Sequence, residues 1–493
     1  MADHVIPLKL ECTGTQISPL LFGHFIEFIE NCIDGGVRDP GSRFSDADGI
    51  RRDVLEMVKG LGPALLRWPG GTFANIYHWM DAVGPAGERK KRRNLIWGGV
   101  VDNRFGTAEF VKYCRALGAE PMLCVNMASG SAQEAADWVE YCNGEPGTYF
   151  ADLRVRHGYP EPFHVRYWCI GNESYAEPDL GAQHVPERYI SDAWEFTKHM
   201  KLMDPTLKMV YVGNPSDMDW NRRILESLAP VCDYLSIHYY AGEDERGMYA
   251  PFASLAGFRE DLENVMSVVR TASEASKPLS QWYRFPGREG EIRLAVDEWN
   301  IWNSAYQGED NRYGLKMIYT WRDALWTACM MNTLAVHARD IGMANLAQMV
   351  NVLSPIVAGE NGCFPQTTYP VLKLYREQLS GELVRCCMDA PAETFGAAES
   401  LPMLDASACR RADGSLCLFL VNISQTDRAE VVLPDDVRPV RSVELRAPDF
   451  GAVSRMGQDA VAWTEEECAA GPVYVRPGSV RAVILEAGGQ AEL

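Results

Sequence analysis

The sequence has no run of about eighteen apolar residues, the length that crosses a bilayer, so no membrane segment is expected. Its opening, MADHVIPLKLECTGTQISPL, lacks a basic stretch followed by an apolar one, so no secretory leader is expected. Positive charge is in deficit: 47 Lys and Arg stand against 67 Asp and Glu, a net charge of −20. That excess disfavours nucleic acid, anionic membranes and polyanionic substrates, and leaves neutral small molecules or neutral polymers. Several motifs are missing as well. There is no CxxC, HExxH, GxxxxGKS/T or GxSxG, and no GxGxxG after a strand. The corresponding thiol, metal, phosphate, acyl-transfer and dinucleotide chemistries therefore lose their usual residues. No metal and no cofactor is expected. Only nine histidines occur, scattered along the chain. Of these, His24 and His238 read as polar site residues, with satisfied core histidines as the alternative and a zinc pair disfavoured.

Cysteine is present, but not as a framework. Several of the fourteen cysteines sit inside apolar runs, such as Cys124 in PMLCVNM and Cys169 in RYWCIGNE. Buried, reduced thiols in a cytoplasmic protein fit that pattern better than disulfides do. The adjacent Cys386 and Cys387 read as packing residues.

At 493 residues the chain exceeds one small core, so two domains, or a large barrel with an accessory domain, are expected. Eight apolar runs follow one another: PLLFGHFIEF, ALLRWPGGTF, EPMLCVNMAS, VRYWCIGNES, KMVYVGNPS, DYLSIHYYA, IRLAVDEWN and MANLAQMVNVL. Helix-like segments separate them, among them RRDVLEMVKGL, GTAEFVKYCRALG and SAQEAADWVEYC. In the last of these, Ser131 and Glu134 have the spacing of a capping box. Continuous apolar strands alternating with helices mean a parallel sheet covered on both faces, and eight units match a closed (β/α)8 barrel. An open doubly wound sheet is the alternative. After about residue 375 the texture changes to short β-type runs, SLCLFLVNIS, AEVVLP, RSVELRAP, PVYVRPG and VRAVILE. These predict an antiparallel, jelly-roll-like β-sandwich. The strand-like VIPLKLEC at the start could join it. The expected division is 16–375 for the barrel and 1–15 plus 376–493 for the sandwich.

A (β/α)8 barrel builds its active site at the C-terminal ends of its strands. There the sequence places Glu27, Arg67, Asn126, Asn172 with Glu173, Asn214, His238 with Tyr240, Asp297 with Glu298, and Gln348 with Asn351. Convergence of carboxylates, amides, an arginine and aromatics on one rim points to a polar ligand. Glycoside cleavage needs one carboxyl to protonate the leaving oxygen and another to attack or to activate water. Glu173 and Glu298 follow the buried runs YWCIGN and LAVD and could serve. From position alone, ion pairing with Arg67 or other basic groups accounts for them equally well. Trp68, Trp97, Trp168, Trp299 and Trp302 lie near the rim, where sugar faces stack on such rings, although each taken alone is more often core. Trp97, in LIWGGVVDNRFG, is the best candidate for an exposed platform.

The segments FGHFIEFIENCIDGG, LRWPGGTFANIYHWMDAVGP, YWCIGNE, LSIHYY, VDEWNIW and QMVNVL together resemble glycoside hydrolase family 51, the α-L-arabinofuranosidases. The resemblance runs in order from about residue 20 to 375, and the β-type C-terminal region fits that family's accessory domain. It implies that Glu173 is the acid/base and Glu298 the nucleophile of a retaining double displacement. It further implies that Glu27, Asn172, Tyr240 and Gln348 bind furanose hydroxyls. Arg67 and His238 would hold the carboxylates and the sugar, and Trp97 would line the entrance. Thr72 stands where many members carry Cys or Asn beside the sugar. EFIENCIDGG stands where EHLGRCIYGG is common.

The implied activity is exo-acting release of terminal α-L-arabinofuranosyl residues from short, neutral arabino-oligosaccharides, with no metal or cofactor. The implied assembly is a homo-oligomer, a hexamer by family habit. A β-xylosidase, a galactofuranosidase or an endo-β-glucanase on the same barrel remain alternatives. A non-catalytic sugar-binding protein would be expected to have lost one glutamate.

Overall fold

The computed structural model describes residues 3–176, 183–244, 246–303, 307, 311–394 and 400–487. Eight parallel strands close into a barrel: Gly23–Phe25, Leu65–Trp68, Glu120–Val125, Tyr167–Ile170, Lys208–Val212, Tyr234–Ala241, Arg293–Ile301 and Ile341–Leu346. They are barrel strands one to eight. Each lies within or overlaps one of the eight apolar runs, and an open doubly wound sheet is ruled out by the closure of strand eight on strand one.

The first run divides. Pro19–Phe22 forms a 3-10 turn, capped by Ser18 Oγ accepting from the Leu20 N–H, and only Gly23–Phe25 is strand. Proline at the first helical position explains the change, since its fixed φ suits a helix start and it has no N–H for a ladder. Leu20 then packs against the barrel interior at the N-terminal end of the strands. That interior is filled by Leu65, Met122, Cys124, Tyr167, Cys169, Val210, Ala295 and Met343. The barrel is thus a packed core, and only its C-terminal mouth is left for chemistry.

Helices cover the outside. Arg52–Leu61 and Thr107–Leu117 each end on a left-handed glycine, Gly62 and Gly118. Ala132–Asn143 starts on Ser131, whose Oγ accepts from the Glu134 N–H. The reciprocal half of the expected capping box is not made there: the Glu134 carboxylate accepts from His78 Nδ1 at 3.0 Å instead.

Outside the barrel, three two-stranded ribbons pair Arg92–Arg93 with Val100–Val101, Ile356–Gly359 with Gly362–Pro365 and Ala392–Thr394 with Ser400–Pro402, and the other nine described strands form one sheet. Its order is Ala462–Glu467, Val437–Arg446, Ser479–Ala487, Leu416–Asn422, Leu404–Arg410, Glu382–Met388, Asp3–Gln16, Arg428–Val432 and Val473–Val475. The N-terminal strand sits within it, antiparallel to Glu382–Met388 but parallel to Arg428–Val432. The sheet is therefore mixed, where a purely antiparallel sandwich was expected. A strand separated from its partner by the whole barrel has no hairpin to fix its direction, so either sense is open to it. The helix Trp321–Val336 carries Asn332 against this sheet, where its Nδ2 donates to Asp405 Oδ1 and its Oδ1 accepts from Ser407.

Candidate active site

Strands two, four, six and seven deliver one buried charged cluster. Arg67, 1% exposed, is the last but one residue of strand two. Its Nη1 donates to Glu298 Oε1 at 2.6 Å, its Nη2 donates to Asn172 Oδ1 at 2.6 Å, and its Nε lies 3.5 Å from Asp297 Oδ2. Burial opposes the charge on this guanidinium, but Asp297 and Glu298 outweigh it and raise its pKa far above the ordinary range. Tyr240 donates its hydroxyl to Glu298 Oε2 at 2.7 Å. Glu298 is thus gripped at both oxygens.

Glu173 faces the same space from the loop that follows strand four. Its backbone is left-handed, with φ 42°, a conformation that costs a non-glycine residue of order 1–3 kcal/mol and tends to persist at functional positions. His238 Nδ1 lies 2.8 Å from Glu173 Oε1 and 3.6 Å from Glu298 Oε2. Strands six and seven set this up directly, since His238 and Glu298 are register partners. One donor atom each of Glu173, His238 and Glu298 falls within 4.8 Å of the others. Burial opposes charge on both members of the Glu173–His238 contact, yet His238 lowers the Glu173 carboxyl, and the charge of Glu298, then Asp297 and Glu173, raises the His238 imidazole well above its usual value.

A second group lies beside it. Glu27 Oε1 accepts from the Phe73 N–H at 2.9 Å and from Trp97 Nε1 at 3.0 Å, while Gln348 Nε2 donates to Glu27 Oε2 at 3.0 Å. Burial, aided by the charge of Glu298, pushes the Glu27 carboxyl from 4.5 to about 7 against these hydrogen bonds. Thr72, 8% exposed, lies in the chain between Gly71, which abuts Glu298, and Phe73, which reaches Glu27. Trp97 meets Tyr313 edge-on at 5.2 Å; the Tyr313 carbonyl accepts from Trp302 Nε1, and Trp302 packs on Tyr240 at 5.5 Å. These rings form an aromatic wall. Three buried polar atoms in the cluster have no hydrogen-bond partner among the described residues: Arg67 Nε, which faces Asp297 Oδ2 at 3.5 Å, and the amide atoms Asn172 Nδ2 and Gln348 Oε1. Buried polar groups normally find partners, so the unpaired amide donor and amide acceptor beside two carboxylates mark where a hydroxylated ligand would bond.

Matches to known proteins agree with this geometry. Residues 57–256 match the α-L-arabinofuranosidase 1 domain and residues 297–471 the α-L-arabinofuranosidase C-terminal domain. The chain is 34% identical over 472 residues to a probable α-L-arabinofuranosidase C of Aspergillus clavatus, covering 92% of this chain and 91% of that one. It is 31% identical to an intracellular exo-α-(1→5)-L-arabinofuranosidase of Acetivibrio thermocellus, covering 87% and 86%. The thermostable GH51 α-L-arabinofuranosidase of Thermotoga petrophila superposes with a TM-score of 0.83 at 32% identity, over 97% of this chain and 100% of that one. The chain belongs to the family 51 α-L-arabinofuranosidases.

Within this α-L-arabinofuranosidase fold, Glu27, Arg67, Trp97, Asn172, Glu173, His238, Tyr240, Glu298 and Gln348 are drawn into one connected set. Asn126 is not bonded into it. Its Nδ2 donates to the Tyr77 carbonyl and Ser129 Oγ, and its Oδ1 accepts from the Ala128 and Ser129 N–H groups, so its amide is spent on the turn after strand three. Asn300 and Asn351 similarly bond backbone groups of neighbouring loops. His24 stands apart, with its imidazole pushed down to about 4 by burial.

Trp68, Trp168 and Trp299 are buried core, not platforms. Alternation along a strand turns Trp68 and Trp168 outward beside the inward-facing Arg67 and Cys169; in strand seven an irregularity between Ala295 and Glu298 lets Asp297 and Glu298 both face inward, and Trp299 follows them outward. Trp68 meets Phe110, Trp168 meets Trp138 and Trp299 meets Trp326, all on covering helices. Sequence reasoning noted Asp297 only as a strand end and missed Ser236. Ser236 Oγ donates to Asp297 Oδ1 at 2.5 Å, beneath His238.

Proposed function

We propose that Glu298 is the nucleophile and Glu173 the acid/base of a retaining α-L-arabinofuranosidase acting on arabinose-containing carbohydrate. The observation that carries the reading is the closeness of the two carboxylates, with oxygens within 4.8 Å of each other across His238. Double displacement uses carboxyl groups about 5–5.5 Å apart, whereas inversion needs room for a water and a span of roughly 6.5–9.5 Å. Glu298, held by Arg67 and Tyr240, attacks the anomeric carbon while Glu173 protonates the departing oxygen. Glu173 then takes a proton from water, which displaces the sugar from Glu298. The unpaired Asn172 Nδ2 and Gln348 Oε1 bond furanose hydroxyls, with Glu27, and Thr72 borders the sugar. The Trp97 wall supports the leaving group.

Exo action on short, neutral arabino-oligosaccharides is the finer reading, supported by the net charge of −20 and by similarity to an exo-acting relative. Fourteen free cysteines support a reducing, cytoplasmic setting. Among the described residues, no helix is long and apolar enough to cross a membrane. Assembly into a homo-oligomer is part of the same reading and is measured by light scattering.

The test of the roles is leaving-group dependence. Glu173→Ala should slow release of phenol at least about a hundredfold more than release of 2,4-dinitrophenol, since general acid catalysis contributes roughly 10²–10⁴-fold only where protonation is needed. Equal losses on the two aryl α-L-arabinofuranosides would refute the acid role.

A further inference from the structure

His238 is more than a spacer between the two glutamates. Its Nε2 lies 3.3 Å from Ser236 Oγ and 3.5 Å from Asp297 Oδ1. Ser236 donates its single proton to Asp297, so its remaining lone pairs are free to accept Nε2–H. Asp297 is 1% exposed and is kept charged by Arg67, with Ser236 and His238 adding to the effect. The Nε2 proton therefore has a fixed acceptor. The Nδ1 face has two carboxylates, Glu173 and Glu298. The charged groups around the ring are Glu173 in the loop after strand four, Asp297 and Glu298 on strand seven, and Arg67 on strand two behind them.

We propose that His238 is the proton store of the reaction, lending its Nδ1 proton to Glu173 across their 2.8 Å contact, with Ser236 and Asp297 as the positioning residues that hold Nε2–H in place. The inference rests on Glu173 being the acid/base. In the resting enzyme Glu298, at 3.6 Å, favours the proton on Nδ1. Burial alone would discharge this imidazole, yet the surrounding carboxylates hold it protonated, which agrees with the geometry.

The cycle balances. As Glu298 bonds to the anomeric carbon, its charge is consumed in the new ester and its hold on the imidazolium weakens. The Nδ1 proton passes to Glu173, and Glu173 gives a proton to the glycosidic oxygen as the C–O bond breaks. A neutral alcohol leaves behind a Glu298 ester, a Glu173 carboxylate and a neutral Nε2–H imidazole. In the second half, Glu173 takes a proton from water, the water oxygen bonds to the anomeric carbon, and the ester's electron pair returns to Glu298. The restored charge draws the proton from Glu173 back to Nδ1. One proton is borrowed and one returned, so the acid is in place when the leaving group needs it and the base is free when water arrives.

The experiment compares wild type, His238→Gln, Asp297→Asn and Glu173→Ala on phenyl and 2,4-dinitrophenyl α-L-arabinofuranosides across pH. The ratio of the two rates does not depend on how much of a variant folds. In His238→Gln and Asp297→Asn the rate on the phenyl substrate should fall at least about tenfold more than on the dinitrophenyl one. The basic limb of their kcat/KM profiles should also move down by at least about one pH unit: in His238→Gln because Glu173 then holds its proton without the imidazole, and in Asp297→Asn because the imidazole loses a carboxylate that keeps it protonated. A basic limb left where the wild type has it would overturn the proposal, whatever the rate ratio. If Glu173→Ala itself shows no leaving-group dependence, the acid/base assignment has failed rather than the proton store alone.

Discussion

Gly71 stands against Glu298 so closely that a Cβ built on it would fall 2.7 Å from Glu298 Oε1. That oxygen cannot move away cheaply, because Arg67 donates to it at 2.6 Å and Tyr240 holds the other oxygen at 2.7 Å. The second glycine of RWPGG is therefore the space in which the carboxylate sits. Gly71→Ala should leave the fold intact and reduce kcat/KM by about a hundredfold, the scale of a misplacement of roughly 1 Å at a reacting group. Steady-state kinetics with a melting curve decide it; an active Gly71→Ala enzyme would mean that Glu298 has freedom the geometry denies.

Arg67 holds Glu298, Asp297 and Asn172 together, and all four side chains are buried. Arg67→Met keeps much of the volume and removes the charge. Two carboxylates would then lose their guanidinium. Breaking a buried pair by removing one partner costs about 3–5 kcal/mol. Urea unfolding at pH 7 should show a loss of that size together with loss of activity. A variant as stable as wild type would mean that Arg67 serves catalysis only.

Glu27 makes stability depend on pH in a defined direction. Its folded-state carboxyl is raised from 4.5 to about 7, so the folded protein binds this proton more tightly than the unfolded chain does. Stability from this group is fully present below pH 4.5 and is lost as pH rises to about 7, a change of about 3 kcal/mol. Glu27→Gln should therefore become steadily more stable relative to wild type from pH 4.5 to 7. Tm measured on both proteins across that range tests it; a constant difference would contradict the buried, proton-holding environment of Glu27.

The barrel was legible because parallel strands covered on both faces are continuous apolar runs. Glu173 and Glu298 were legible because they follow such runs, and a strand's end is the barrel's mouth. What stayed hidden depends on facing. Trp68 and Trp299 are one residue from Arg67 and Glu298, yet the pleat turns them outward onto Phe110 and Trp326. Asn126 ends a barrel strand like Asn172, but its amide closes a local turn while Asn172 meets Arg67 across the barrel. The Ser236–Asp297 bond joins residues 61 apart in sequence, and only the register of strands six and seven brings them together. The N-terminal strand's parallel pairing with Arg428–Val432 has no local signal either.

The central claim is that Glu298 carries the sugar during turnover. A mechanism-based 2-deoxy-2-fluoro arabinofuranoside, which forms the glycosyl-enzyme faster than water clears it, followed by peptide mass spectrometry, tests this most directly. The account predicts one added sugar on the peptide containing Val296-Asp297-Glu298-Trp299, fragmenting to a modified Glu298, and no label on Glu298→Ala. A sugar attached to Glu173, to Glu27 or to any other residue would contradict it.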